Sequence, residues 1–162
     1  MNSTHCQICA RPIKASTGII AHHGYQRPQY QGWQTASCDG ARQLPYEVSR
    51  DHIPVVIERY KMHASNQELL ADTMLRKPSA TLTRIHLNRL GREDSMTEFA
   101  KPENFDPYAA VNAGARSFTF SSYENEFVKK YEAHRANVKE INGSIEFLQQ
   151  RYESWKKVEV QS

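Results

Sequence analysis

Three cysteines, all within the first 38 residues of a 162-residue chain, constrain this sequence more than any other feature. Cys6 and Cys9 form a C-x2-C pair, Cys38 follows, and the adjacent His22 and His23 lie between them. Four-coordinate zinc takes thiolate and imidazole ligands from such short spacings, so the pattern predicts a Cys3His site. Cys6, Cys9 and Cys38 supply three ligands. On an extended segment His22 and His23 face opposite ways, so only one of them can be the fourth. His23 is preferred because Gly24 behind it permits a close turn; His22 is the alternate, with His5 and His52 further off. An odd set of three cysteines suits a metal in a reducing cytoplasm better than a disulfide framework.

The surrounding composition explains why a metal is needed there. Residues 1–48 hold Gly18, Gly24, Gly32 and Gly40 with Pro12, Pro28 and Pro45, and only short apolar pieces such as Ile19-Ile20 between turns. Such a segment buries too little surface to fold unaided, and metal binding supplies the missing free energy. The expected organisation is therefore a zinc-stabilised lobe over 1–48 followed by a helical region over 49–162.

Two periodic runs define that region. Ile53, Val56, Tyr60, His63, Gln67, Leu70 and Met74 alternate spacings of three and four, predicting a helix over 52–76. Ser49 or Asp51 can cap it, Pro54 is tolerated in its first turn, and Arg76-Lys77-Pro78 closes it. A longer seam runs through Phe120, Glu124, Phe127, Tyr131, His134, Val138, Ile141, Ile145, Leu148, Tyr152 and Trp155, predicting a heptad-patterned helix over 122–158. Between them, 80–87 and 115–120 alternate like strands, and 91–114 reads as loop, with a helical turn possible at 94–99. The predicted fold is α+β: the zinc lobe, then an antiparallel, coiled-coil-like long-helix hairpin with a two-stranded β tip near 80–120. The mismatch in helix length leaves part of the longer helix to pack on the zinc region or on a second copy, so a homodimer is a candidate assembly.

At 39% hydrophobic and 24% charged, with a net charge of +3, the chain is globular and polar. No apolar run approaches the roughly 18 residues of a membrane-spanning helix, and the first residues lack the basic and apolar regions of a secretory signal, so a cytoplasmic protein with no membrane partner is expected. The charge is uneven. Lys77, Arg84, Arg89 and Arg92 fall in a stretch without acids, and with His86 they make a candidate basic surface at the β tip for phosphate or DNA. Tyr25, Arg27, Tyr30 and Trp33 interleave aromatic and basic groups suited to stacking on bases or to a protein hot spot. His63 and His134 occupy seam positions. Asp39, Glu47 and Asp51 are the acids nearest the cysteines in sequence, yet no metallohydrolase, deaminase, P-loop, dinucleotide-binding or nucleophile-elbow motif occurs.

The run Cys6-x2-Cys9, Ile20-Ala21-His22-His23-Gly24-Tyr25-x-Arg27-Pro28, Ser37-Cys38-x-Gly40-Ala41-Arg42 and Pro45-Tyr46-Glu47 resembles an N-terminal motif of small uncharacterised proteins of phages and other mobile elements. The resemblance covers about the first 55 residues and carries no activity. It implies a small binding factor directed at a host or genome. The expected function is a non-enzymatic zinc protein that binds nucleic acid or a nucleic-acid-handling host complex. The alternatives are a protein-directed adaptor or inhibitor dimerising through its C-terminal helix, and a metal-dependent hydrolase or nuclease.

Overall fold

The computed structural model describes residues 4–14, 18–24, 37–88, 91–114 and 122–156. Their order is β1 (Thr4–His5), β2 (Pro12–Ile13), α1 (His52–Arg76), β3 (Thr81–Leu87), β4 (Glu93–Ala100), α2 (Pro107–Ala113) and α3 (Tyr123–Ser154). The fold is α+β, with β1–β2 and β3–β4 forming separate two-stranded antiparallel sheets. Backbone proximity groups the chain into two units, one of residues 1–62 with 142–162 and one of residues 63–141, so α1 and α3 each contribute to both. Among the described residues no helix is long and apolar enough to cross a membrane.

Helix α1 begins where its sequence suggests, but its first free amide is capped from a distance. The Ser49 hydroxyl accepts from the Asp51 amide, while the His52 amide donates to the side-chain carbonyl of Gln7 at 3.2 Å. The buried stripe of α1 is Ile53, Val56, Ile57, Ala64 and Ala71, with Tyr60, Gln67, Met74 and Leu75 half-buried. His63 and Leu70, expected on the seam, are exposed instead. Their neighbours Ala64 and Ala71 take the inward positions. In α3, Phe127, Val138, Ile145 and Leu148 are buried, and Tyr131, His134, Ile141 and Tyr152 half-buried, as the seam predicts. Glu124 is exposed, and buried Tyr123, Glu126 and Val128 widen the stripe near the start of the helix. His134 donates from Nδ1 to Gln67 at 2.7 Å, and Gln67 in turn donates to exposed His63 at 3.4 Å. The two histidines do not face one another.

The second unit departs most from expectation. Residues 93–100 form a strand rather than a loop or helical turn, and it is this strand that pairs with β3. The reversal is tight: Asn88 donates from its amide to the Arg92 carbonyl at 2.8 Å, the Asn88 side chain accepts from the Arg92 amide, and Gly91 adopts a φ of +72°. Residues 115–120, expected to be the partner strand, lie outside the described residues. Helix α2 also lies in the expected loop. Asp106 caps it by accepting from the amides of Tyr108 and Ala109, Pro107 occupies its first turn, and Gly114 at φ +71° ends it.

One face of the β3–β4 ribbon is covered. Leu82 and Phe99, opposite each other in the register, pack with Phe105 on the buried cluster of Tyr123, Phe127 and Val128. Phe105 meets both Tyr123 and Phe127 edge to face, at centroid separations of 4.9 and 5.0 Å. Arg84 points to the same side, and its guanidinium binds the buried Glu126 carboxylate, with Nε at 2.6 Å.

Candidate metal centre

Cys6, Cys9, His23 and Cys38 converge so that their ligand atoms lie within 4.8 Å of one another. Cys6 Sγ and Cys38 Sγ are 3.8 Å apart, and Cys9 Sγ is 3.2 Å from His23 Nε2. Metal–sulfur bonds of about 2.3 Å at tetrahedral angles place two sulfurs roughly 3.8 Å apart, so the sulfur pair already has the edge length of a tetrahedral site. The residues fit a four-coordinate metal with all positions supplied by protein.

Local backbone builds each ligand. The Cys6–Cys9 turn closes with Ala10 N–H donating to the Cys6 carbonyl at 3.2 Å, and Ile8 N–H points at Cys6 Sγ at 3.4 Å. Ala10 takes a left-handed φ of 59° to finish the turn. Cys38 sits on a second turn, closed by Ala41 N–H to the Cys38 carbonyl at 2.9 Å and finished by Arg42 at φ 64°. Two backbone hydrogen bonds, Ile20 N–H to the Gln43 carbonyl and Arg42 N–H to the Ile20 carbonyl, each 2.8 Å, hold the histidine segment beside that turn. Cys38 N–H then donates to the His23 carbonyl at 2.8 Å.

His23 and not His22 lies with the cysteines, and the hydrogen bonds of the two histidines differ accordingly. His23 is buried and donates from Nδ1 to the Ala21 carbonyl at 2.8 Å, which leaves the Nε2 lone pair facing the cysteines. Such a bond is what orients a ligating imidazole. His22 is exposed, accepts from Arg42 Nε at 2.8 Å and meets Ser37 Oγ at 3.1 Å. The other two histidines weighed for the site are engaged elsewhere: His5 with Glu47 at 2.5 Å, and His52 with the Asp39 carbonyl at 3.0 Å.

Electrostatics marks the sulfur pair. The Cys6 thiol is pulled down to about 4, first by the hydrogen bond from Cys38 and then, against the effect of burial, by the backbone amides of Cys9 and Ile8. Cys38, the donor of that bond, is pushed up by it and by burial. A bound cation would hold both as thiolates. The nearby acids are committed to other partners. Asp39 is ion-paired with Arg59 at 2.8 Å and accepts from the Tyr60 hydroxyl at 3.4 Å, and Glu47 accepts from the His5 amide at 3.0 Å.

Nothing in the sequence pattern announced how this centre is tied to the helices. Gln7, inside the C-x2-C turn and only 2% exposed, donates to the Leu44 carbonyl at 2.8 Å while capping α1. From α3, Arg151 donates to the carbonyls of Cys6 at 3.2 Å and Gln7 at 3.1 Å and stacks over the Tyr46 ring at 3.9 Å. Tyr46 returns a hydroxyl bond to the Arg151 carbonyl, and Arg50 stacks at 4.0 Å over the Tyr152 ring. Arg151→Ala is expected to destabilise the protein by about 2–4 kcal/mol, because two buried carbonyls lose a charged donor. Arg151→Lys should recover little, since one ammonium cannot reproduce the planar fork. Denaturant unfolding with metal present checks this: the midpoint falls while the slope stays the same.

Of the remaining candidate residues, the described ones are Lys77, Arg84, His86 and Arg92. Arg84 is neutralised by Glu126, and His86 meets Thr97 Oγ1 at 3.0 Å. Lys77 and Arg92 are exposed. Tyr25, Arg27, Tyr30, Trp33 and Arg89 lie outside the described residues. Comparison of the chain with family models, with curated proteins and with solved structures finds no match.

Proposed function

We propose that this chain is a non-enzymatic protein of a reducing cytoplasm, in which structural zinc folds the N-terminal part and the protein acts by binding a macromolecular partner. One observation carries the reading: Cys6, Cys9, His23 and Cys38 supply four protein ligands, the closed set of a structural zinc site, whereas catalytic zinc keeps a position for water or substrate. The committed state of Asp39 and Glu47 supports it, because neither carboxylate is left as a general acid or base beside the metal. The likeness of the first 55 residues to phage and mobile-element proteins supports a host-directed role. Within residues 63–141, the Gln67–His134 bond between α1 and α3 supports the helical hairpin on which the β ribbon is carried.

A host protein, or a nucleic-acid-handling complex met through its protein, is the favoured partner. Direct nucleic-acid binding would rest on Tyr25, Arg27, Tyr30 and Trp33 with Lys77 and Arg92, since Arg84 is already neutralised. The test is elemental analysis of the purified chain together with cleavage assays on DNA and RNA. The expected result is a single zinc per chain and no metal-dependent cleavage. Cleavage that is lost in Asp39→Ala with zinc retained would overturn the non-enzymatic reading.

A further inference from the structure

Among the described residues, none packs on the outer face of the β3–β4 ribbon. Ile85, Leu87 and Met96 are 50%, 62% and 63% exposed, on strands whose other face carries Leu82 and Phe99 into the core. The register makes this face a short ladder. Thr83 lies opposite Glu98, Ile85 opposite Met96, and Leu87 opposite Glu93. The last rung exists because the pairing shifts between His86 and Leu87, which leaves Asp94 without a cross-strand partner and puts Glu93 beside Leu87. A bulge of this kind re-aims side chains. The result is one fully apolar rung, Ile85–Met96, extended by Leu87 and flanked on either side by a rung that carries a carboxylate, and neither Glu93 nor Glu98 is ion-paired with a described residue.

The spacing of those carboxylates selects the occupant. Thr83 and Leu87 are four residues apart on one strand, so the end rungs are separated by roughly 13 Å. An extended segment with basic residues at positions i and i+4 and an apolar residue at i+2 presents the complementary pattern at the same repeat. Resting on the reading of the chain as a partner-binding protein, we infer that this face docks such a basic–apolar–basic extended segment of another protein. The Ile85–Met96 rung buries the central side chain, and Glu93 and Glu98 select the flanking charges. A second copy of this chain does not supply the pattern. Its one pair of basic residues four apart is Arg135 and Lys139, which have Asn137 between them and lie within α3. Nucleic acid is disfavoured here, because its phosphates would meet the two carboxylates.

The test uses the full zinc-loaded chain and two labelled synthetic peptides, one with the alternation Arg-x-Leu-x-Arg and one with glutamate in place of both arginines, followed by fluorescence anisotropy at low salt. The basic peptide is expected to bind and the acidic one not. Glu93→Gln combined with Glu98→Gln should weaken binding roughly tenfold, the sum of two partly exposed pairs. Ile85→Thr combined with Met96→Thr should weaken it at least as much, and E93K with E98K should reverse the preference between peptides. Absence of binding at millimolar peptide, equal binding of the two peptides, or binding that ignores all these substitutions would overturn the proposal, as would single-stranded DNA displacing the basic peptide from this face. Any of these outcomes, with zinc content intact and no cleavage activity, removes the surface and leaves the zinc-scaffold reading standing. Metal-dependent turnover does the reverse.

Discussion

With structural zinc on the Cys6, Cys9, His23 and Cys38 cluster, as proposed, chelating it or replacing Cys38 with serine is expected to unfold residues 4–62 and 142–156 while residues 63–141 keep their core. Structural zinc contributes about 10–16 kcal/mol of apparent binding free energy at neutral pH, which matches or exceeds the whole net stability of an ordinary domain. The segment of the first unit that precedes α1 has little to set against that loss; the buried Ile53, Val56, Ile57, Ile145 and Leu148 of this unit all lie on α1 and α3. Its sheet is two residues per strand, and before α1 its buried apolar side chains are chiefly Cys6, Ile8 and Ile20. The second unit holds no member of the cysteine–histidine cluster and has Tyr123, Phe127 and Val128 as its own cluster. Hydrogen exchange separates the two outcomes: protection at Cys6–Ile8 and Ile20 collapses on chelation, while the β3–β4 amides stay protected. Acid should act in the same direction as chelation, because the ligands bind metal only as thiolates and neutral imidazole. Glu47 adds to this. Burial works to raise its carboxyl, but the His5 amide and ring outweigh it and hold the group below its usual value. A carboxyl lowered on folding contributes stability above its unfolded pKa, and that stability is lost as pH falls through the folded one. A zinc-free protein with the same protection pattern and the same acid midpoint as the loaded one would remove the structural role of the metal.

What could be read from the sequence was whatever a short stretch of chain decides. That Cys6, Cys9, His23 and Cys38 would lie together was legible because cysteine and histidine at these spacings have few other uses, and Gly24 pointed to His23 over His22. That glycine does adopt a left-handed φ of +73°, and an added Cβ there would lie 3.1 Å from the Cys38 Cβ. The seam of α3 was legible for the same reason, as seven-residue periodicity is a local property. Three things were not. The α1 stripe runs through Ala64 and Ala71, whose small side chains carry little hydrophobic signal, so His63 and Leu70 stood in for them. Strand β4, Glu-Asp-Ser-Met-Thr-Glu-Phe-Ala, has weak strand propensity and its Met96 and Phe99 sit at helical spacing. The Asn88 turn and pairing with β3 override that preference. The partners of Arg84, Gln7 and Arg151 are remote in sequence, and only the folded chain brings Glu126, the His52 amide and the Cys6 carbonyl to them. Helix α2 is a different case. Asp106-Pro107 and Gly114 are ordinary start and stop signals that its short length concealed.

Gly40→Ala is expected to cripple the metal centre without any strain in the backbone that carries it. Gly40 is not among the residues with positive φ, so alanine can adopt its conformation. The obstacle is space: the added Cβ would sit 2.2 Å from Cys6 Sγ and 3.2 Å from Ile8 Cγ1. A sulfur–carbon contact needs well over 3 Å, so either the Cys38–Arg42 turn or the Cys6–Cys9 turn must retreat by about an ångström. Both turns carry ligands, and metal–sulfur distances tolerate only about 0.2 Å. The site cannot absorb the shift and stay tetrahedral. Zinc affinity should fall by at least about a hundredfold, on the scale of losses seen when the shell around a metal is disturbed. Gly18→Ala is the matched control, because its position has the opposite character: a φ of +80° with nothing within 4 Å of an added Cβ. That substitution strains the backbone by about 1–2 kcal/mol and leaves the ligands where they are. Competition with a chromophoric chelator therefore distinguishes the two variants. Gly18→Ala should hold zinc nearly as tightly as the wild type at a modestly lower melting temperature, and Gly40→Ala should surrender it to the chelator. Equal zinc retention by both would mean that the two turns do not meet across Cys6 as closely as the geometry requires.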